Sequence, residues 1–304
     1  MTLLSRRLFL KGSGGVVFGT SGFGAYGFGI EPELMLERTS YAVTPQGWPA
    51  GFSLKIAVIA DIHACEPWMS VARIRSICEL ANSLAPDLTV ILGDFNAGHN
   101  FVTAAVLPEQ WAEALTELEA PLGVYAILGN HDWWHGPLPR LRGDGAKSIR
   151  RALHAIGIPV LENSAERLSK GKQPFWLLGL ADQMGRRLGR GRYQGFDDLE
   201  GTLRLVADDA PVILLAHEPF VFEKVPSRVA LTLCGHTHGG QVNLPLLGSP
   251  FAELRFGSEH IYGHIVEQDR HMIISAGLGT SIAPVRFGRP PEVVEVVLGQ
   301  PTVA

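Results

Sequence analysis

Residues 54–63, LKIAVIADIH, run from an apolar stretch into a carboxylate and an imidazole. Leu54–Ala60 is almost continuously apolar and rich in β-branched residues, the pattern of a strand buried on both faces. Asp61 and His63 follow it two positions apart, and side chains at i and i+2 of an extended segment point to one side. In α/β sheets the carboxyl ends of the strands form a shared rim where ligands gather. The stretch therefore predicts a buried strand that delivers two ligand side chains to such a rim.

Four further apolar runs end in the same way. Leu88–Leu92 leads into Gly93-Asp94, and Gly123–Leu128 into Gly129-Asn130-His131-Asp132. Val212–Ala216 leads into His217, and Val229–Cys234 into Gly235-His236-Thr237-His238. Helical periodicity falls between the early runs, over Ser70–Leu84, Pro108–Leu118 and Lys147–Ile156, the last ended by Gly157 and Pro159. Later apolar runs at Phe175–Leu180, Tyr262–Val266, Met272–Ser275 and Val293–Leu298 have few helical patterns among them. This order predicts an α/β fold, with βαβ units first and mostly strands later, packed as two sheets with helices outside. A chain of 304 residues, 46% of them hydrophobic, suits one large domain or at most two.

The ends and connections carry their own signals. Ser5-Arg6-Arg7-Leu8-Phe9-Leu10-Lys11 matches the twin-arginine export pattern, and Gly12–Ile30 carries eight glycines and no charge. Glycine weakens a helix by about 1 kcal/mol relative to alanine, so this is a feeble membrane span and a fitting signal segment over residues 1–30. It implies the twin-arginine translocase as a partner and a place in the periplasm or on the outer face of the inner membrane. Residues 31–52, with Pro32, Pro45, Pro49, Gly47 and Gly51, read as a linker onto a catalytic domain over 53–300. Asp182–Asp198 reads as a glycine- and arginine-rich surface excursion. Cys65, Cys78 and Cys234 are too few for a disulfide framework and read as buried free thiols. A net charge of −4 argues against nonspecific binding to nucleic acid, so an anionic substrate must be drawn in locally.

An aspartate after a strand is ordinarily a turn former or helix cap, and a lone histidine is ordinarily core or surface. Five histidines, three aspartates and an asparagine, each at a strand terminus, are too many for that account. Imidazoles and carboxylates without a thiolate favour Zn, Mn, Fe or Ni at a pair of divalent ions. Cys234 ends an apolar run and is taken as packing.

The ordered set D-x-H, G-D, G-N-H-D, H and G-H-x-H resembles the calcineurin-like metallophosphoesterase superfamily over roughly Leu54–Leu298. The resemblance implies a four-layer α/β/β/α sandwich with a dinuclear metal site at the strand carboxyl ends. It implies that Asp61, His63, Asp94 and His238 hold one ion, and that Asp94, Asn130, His217 and His236 hold the other, with Asp94 bridging. His131 would be the acid or transition-state stabiliser, and Asp132 would orient it. Two such ions about 3.5–4 Å apart clamp the attacking and leaving oxygens of a displacement at phosphorus, and lower the pKa of a bound water from roughly 15.7 toward about 7. The implied reaction is hydrolysis of phosphodiester or related phosphate ester bonds.

With the twin-arginine signal, Gly235–Asn243 (GHTHGGQVN) resembles the exported bacterial phosphodiesterase branch. That branch is also similar to UDP-2,3-diacylglucosamine pyrophosphatases, which makes a lipid-linked substrate the alternative. The rival of another class is a noncatalytic metal-binding scaffold, but such proteins usually lose a ligand or the acid histidine. Trp133, Trp134 and His135 are expected at the mouth of the site, the tryptophans as packed anchors or as a wall for a lipid or sugar. Arg186, Arg187, Arg190 and Arg192 are either a solvated loop or an anion-catching lid. Gly277–Phe287 is glycine-rich without the spacing of a nucleotide-binding loop.

Overall fold

The computed structural model describes residues 24–134, 146–257 and 259–299. The twin-arginine motif and His135 lie outside the described residues.

Two sheets stack face to face. The first holds β1 (Glu37–Val43), β2 (Leu54–Ile59), β3 (Leu88–Ile91), β4 (Val124–Ala126) and, from the far end of the chain, β11 (Glu292–Leu298), in the order β1-β11-β2-β3-β4. The second holds β5 (Ser164–Lys170), β6 (Gln173–Gly179), β7 (Val212–Leu215), β8 (Val229–Cys234), β9 (Gly263–Glu267) and β10 (Arg270–Ile274), in the order β9-β10-β8-β7-β6-β5. In β2 the alternation of a strand does the sorting. Leu54, Ile56 and Val58 enter the core between the sheets, where they meet Phe175, Ile213 and Leu231 of the second sheet. Ala57 and Ile59 face the opposite way, onto the helices.

Those helices are α1 (Val71–Ser83), α2 (Pro108–Leu115) and α4 (Lys147–Ala155), with the short α3 (Asn130–Trp134) at the rim. Ser70 caps α1, its hydroxyl accepting the Arg73 N–H at 3.2 Å. Ile74, Ile77, Cys78 and Ala81 of α1 and Trp111 and Leu115 of α2 are buried against the first sheet. Trp111 stacks on Phe95 just beyond β3, ring centres 4.7 Å apart. On the other side, Leu199–Leu203 and Pro219–Lys224 cover the second sheet through Leu199, Leu203, Val221 and Phe222. The architecture is α/β/β/α, and its fourth layer is thin.

Within the stretch expected to be linker, Glu37–Val43 forms an edge strand paired parallel with β11 from Glu37↔Glu292 to Val43↔Leu298. Ahead of it, Tyr26–Leu34 is helical and tied down by Glu31, which is buried and accepts the N–H groups of Gly288 (2.8 Å) and Arg289 (2.5 Å). The sequence ERTSYAV hides its strand because an edge strand shows polar side chains to water, which blurs the apolar signal. The same holds for β5, SAERLSK, at the edge of the second sheet. The supposed surface excursion contains a hairpin, Arg186–Gly189 with Arg192–Gln194. All three cysteines are buried and free, as expected. Among the described residues no helix is long and apolar enough to cross a membrane.

Candidate metal centre

β2, β3, β4, β7 and β8 bring their carboxyl ends to one edge of the sandwich, and all seven expected ligands meet there, buried. Asp61 Oδ1 and Oδ2 accept the His236 N–H at 3.0 and 3.1 Å, which stitches the first sheet to the second. Asp94 sits between the two halves of the set. Its Oδ2 is 3.5 Å from His63 Nε2 and 3.3 Å from His217 Nε2. On one side His238 Nε2 lies 3.7 Å from Asp61 Oδ1 and 3.1 Å from His63 Nε2. On the other, His236 Nδ1 lies 2.8 Å from Asn130 Oδ1. Asp94 thus stands between His63 and His217, and Asp61 reaches toward both sides, its Oδ1 3.9 Å from His217 Nε2.

The backbone is strained to achieve it. Asp61, His63, Asp94, His236 and His238 all have φ between 49° and 70°, a left-handed conformation uncommon for residues other than glycine. Such outliers concentrate at functional sites because the turn re-aims a side chain that a regular strand would point elsewhere. Room is made by Gly129, where a Cβ would stand 2.4 Å from Asp94 Oδ1 and 2.5 Å from His217 Cε1.

The donor atoms fit divalent ions. His63 Nδ1 is 2.7 Å from the carbonyl of Asn96 and His217 Nδ1 is 2.7 Å from that of Leu92. A carbonyl only accepts, so each ring carries its proton on Nδ1 and turns Nε2 inward, as outer partners do for metal-binding imidazoles. Burial holds His63 and His238 below the ordinary histidine range, so both are neutral. His63 Nε2 and His238 Nε2 stand 3.1 Å apart in stacked rings, so both ring nitrogens can turn toward one cation beside the nearby carboxylates. Among the described residues Asn130 Nδ2 has no hydrogen-bond partner, and His217 Nε2 faces Asp94 Oδ2 at 3.3 Å. Burial pushes Asp61 up to about 7, partly opposed by His217. Asp94 is driven upward by burial too, yet His217, His131 and His63 hold it well below the carboxylate range. Asp61, His63 and His238, and Asp61, Asp94 and His217, each place donor atoms within 4.8 Å of one another.

His131 lies at the open side, beside a cavity that Asp94, His236 and His238 also line. Its ring meets His63 edge-on at 4.9 Å and its Nε2 is 3.3 Å from Ser281 Oγ. Asp132 does not take the expected role of orienting it. Both Asp132 oxygens are spent on backbone N–H groups, Oδ2 on Asp94 and Gly129 (2.9 Å each) and Oδ1 on Phe95 (2.8 Å) and Asn96 (3.2 Å). Asp132 thus shapes the turn that carries Asp94.

Three buried groups escaped sequence reasoning. Glu218 Oε1 is 3.9 Å from His236 Nδ1 and forms a donor cluster with His217 and His236. Burial raises Glu218 to about 7, and Asp182, beside it, well above its usual range. Glu218 directly follows a ligand, which was the available signal. Arg286 is fully buried and donates to the carbonyls of Ala276 (2.9 Å), Gly279 (2.6 Å) and Arg289 (2.8 Å), with Nη2 3.4 Å from His238 Nδ1. Gly277–Phe287 is therefore a wall of the site. Nothing in its spacing announced that.

Trp133 and Trp134 are packed anchors. Trp134 donates to the Met184 carbonyl (2.9 Å), stacks on Tyr193 (5.2 Å) and has Arg187 over its ring at 3.8 Å. Its ring centre is 5.5 Å from that of His131, so the arginine hairpin is fastened next to His131.

The model of the calcineurin-like phosphoesterase family matches residues 54–240, which span the ligand-bearing strand ends from Asp61 to His238. The chain is 32% identical to an uncharacterised metallophosphoesterase, YkuE, of Bacillus subtilis (strain 168), covering 98% of this chain and 99% of that one. It is 29% identical to the phosphodiesterase YaeI of Escherichia coli (strain K12), covering 97% and 100%. It is 26% identical to the UDP-2,3-diacylglucosamine pyrophosphatase LpxG of Chlamydia trachomatis, covering 87% and 89%. A paired-cation donor set at the edge of an α/β/β/α sandwich and a family match over more than half the length agree, and the chain belongs to the calcineurin-like phosphoesterase family as a metal-dependent phosphoesterase.

Proposed function

We propose that this chain hydrolyses phosphodiester bonds outside the cytoplasm, after export by the twin-arginine route. The observation that carries the chemistry is Asp94 Oδ2, which faces His63 on one side and His217 on the other. When bound, two divalent ions would supply the nucleophile at neutral pH and clamp the phosphoryl oxygens of an in-line displacement.

The chain's own residues do the rest. Asp61, His63 and His238 would hold one ion, Asn130, His217 and His236 the other, and Asp94 would be shared. The proton sits on Nδ1 of His63 and of His217, which fixes both rings before substrate arrives. His131, on the cavity side, is placed to meet the leaving oxygen and give it a proton, a role worth roughly 10²–10⁴-fold in rate. Full-length similarity to a phosphodiesterase supports diesters over monoesters. Export rests on Arg6-Arg7 and the uncharged glycine-rich stretch after it.

A second reading, cleavage of a lipid-linked pyrophosphate, is favoured by the similarity to a UDP-2,3-diacylglucosamine pyrophosphatase. The test is turnover of bis-p-nitrophenyl phosphate against p-nitrophenyl phosphate by protein loaded in turn with Mn²⁺, Zn²⁺, Fe²⁺ and Ni²⁺. The expected result is preference for the diester. Absence of turnover with every ion would favour a noncatalytic scaffold.

A further inference from the structure

Beside the ligand cluster lies a cavity of about 260 Å³. Asp94, His131 and His238 line one side of it; Val242, Ala252, Ala283 and Val285 supply much of the rest, with Phe251 and Ile282. The polar side chains on this wall are already engaged. Gln241 donates through Nε2 to the carbonyls of Ser281 and Ala283 and accepts the Ser281 N–H on Oε1. Thr237 donates to the Ile261 carbonyl and accepts the Gly239 N–H. A sugar or base placed there would lose water and find few partners, whereas a hydrocarbon chain would not.

The mouth is apolar as well. Ile282 is 68% exposed and has φ of 68°, a conformation that is a genuine outlier for a β-branched side chain. Gln241 pins residues on both sides of it. The segment from Val242 to Phe251 carries Leu246 and Leu247, and Leu254 follows; all are exposed, as is Phe251 at 70%. Isolated exposed leucines need no account, but this many along the lining segment of a reaction cavity do. The cavity is smaller than the roughly 300–1,000 Å³ that encloses a whole drug-sized ligand, so it suits one limb of a substrate.

We propose that this cavity is a subsite for an alkyl or acyl chain attached to the phosphate ester, so that the substrate is amphiphilic. The inference rests on the phosphoesterase reading and deepens it. The ester is held at the ligand cluster while the chain lies along Val242, Ala283 and Val285 and leaves past Ile282. Each methylene moved from water to such a wall is expected to raise affinity about fourfold. With half the chain buried, octyl phosphate binds about a hundredfold more tightly than methyl phosphate.

The experiment is calorimetric titration of the Mn²⁺-loaded full chain with methyl phosphate and octyl phosphate, below the micelle concentration. The expected outcome is the hundredfold preference, with a negative heat-capacity change for the octyl ligand. Ala283→Trp, which fills a partly exposed wall position, should cut the preference below tenfold. Ile282→Gly relieves the strained φ, so it should melt no lower than wild type and still weaken the preference. Affinities within threefold of each other, or a preference undiminished in both variants, would overturn the subsite. Turnover of methyl p-nitrophenyl phosphate by the same sample keeps the two ideas apart. Turnover without any chain preference removes the alkyl subsite alone; no turnover removes the phosphoesterase reading and the subsite with it.

Discussion

Asp132 holds Asp94 by its backbone: Asp132 Oδ2 accepts the Asp94 N–H at 2.9 Å, and its other oxygen accepts the next two N–H groups. Asp94, the carboxylate proposed to be shared by the two ions, therefore owes its position to a buried neighbour. Asp132→Asn would turn an amide NH₂ toward backbone donors, at about 1–3 kcal/mol for each donor left unpaired. The expected result is lower stability in urea and reduced metal content. If Asp132→Asn instead keeps both ions and full stability while shifting only the pH profile, then Asp132 acts through His131 after all.

Asp94→Asn tests the bridge itself. One oxygen serves both halves of the donor set, so its replacement should lower occupancy of at least one ion position. Metal analysis of the purified variant checks this, and two ions per chain would refute the shared role.

His131→Ala separates chemistry from assembly. The ring lies on the cavity side and is not among the proposed ligands, so metal content should match wild type. Turnover should drop roughly 10²–10⁴-fold, more steeply for esters with poor leaving groups. A parallel loss of metal would show that the ring supports the cluster.

Acidity should act through the buried carboxyls. Asp61, Asp132 and Glu218 are all raised to about 7, chiefly by burial, from ordinary values of 3.8, 3.8 and 4.5. Between those limits these three carboxyls bind more protons in the folded chain than in the unfolded one, so their contribution to stability falls as pH rises through the window; His63 and His238, held low by burial, act in the opposite direction below their ordinary value of 6.5. His217 is raised as well, against its burial and by Asp94, and adds a contribution in the same direction at higher pH. After chelation the protein should melt at a higher temperature at pH 5 than at pH 8. Bound cations offset the carboxylate charge, so the gain in melting temperature on adding Mn²⁺ should be larger at pH 8. Scanning calorimetry at the two pH values decides it; a chelated protein that melts higher at pH 8 contradicts the assignment.

The interior strands were legible because both of their faces are buried, so LKIAVIA and VALTLC show nearly continuous apolar runs, interrupted only by Lys55 and Thr232. Each proposed ligand was legible because it sits within four residues of the end of such a run. ERTSYAV and SAERLSK were not, since half of an edge strand faces water. The role of Asp132 was misjudged for a different reason. Adjacency in sequence to His131 suggested a side-chain contact, whereas the turn at α3 aims the carboxylate at the loop after β3. Arg286 was invisible because its partners are carbonyl groups, which every residue has.

The placement of β11 bears on how the molecule comes to exist. Residues 292–298 lie between strands drawn from residues 37–43 and 54–59, so the first sheet has a missing middle until residues 292–298 have been made. Pairings between such distant segments form slowly, because the loop they close is long. A nascent chain would wait on the ribosome with β1 lacking its neighbour, and deletion of the final strand should yield an aggregating species rather than a smaller native one.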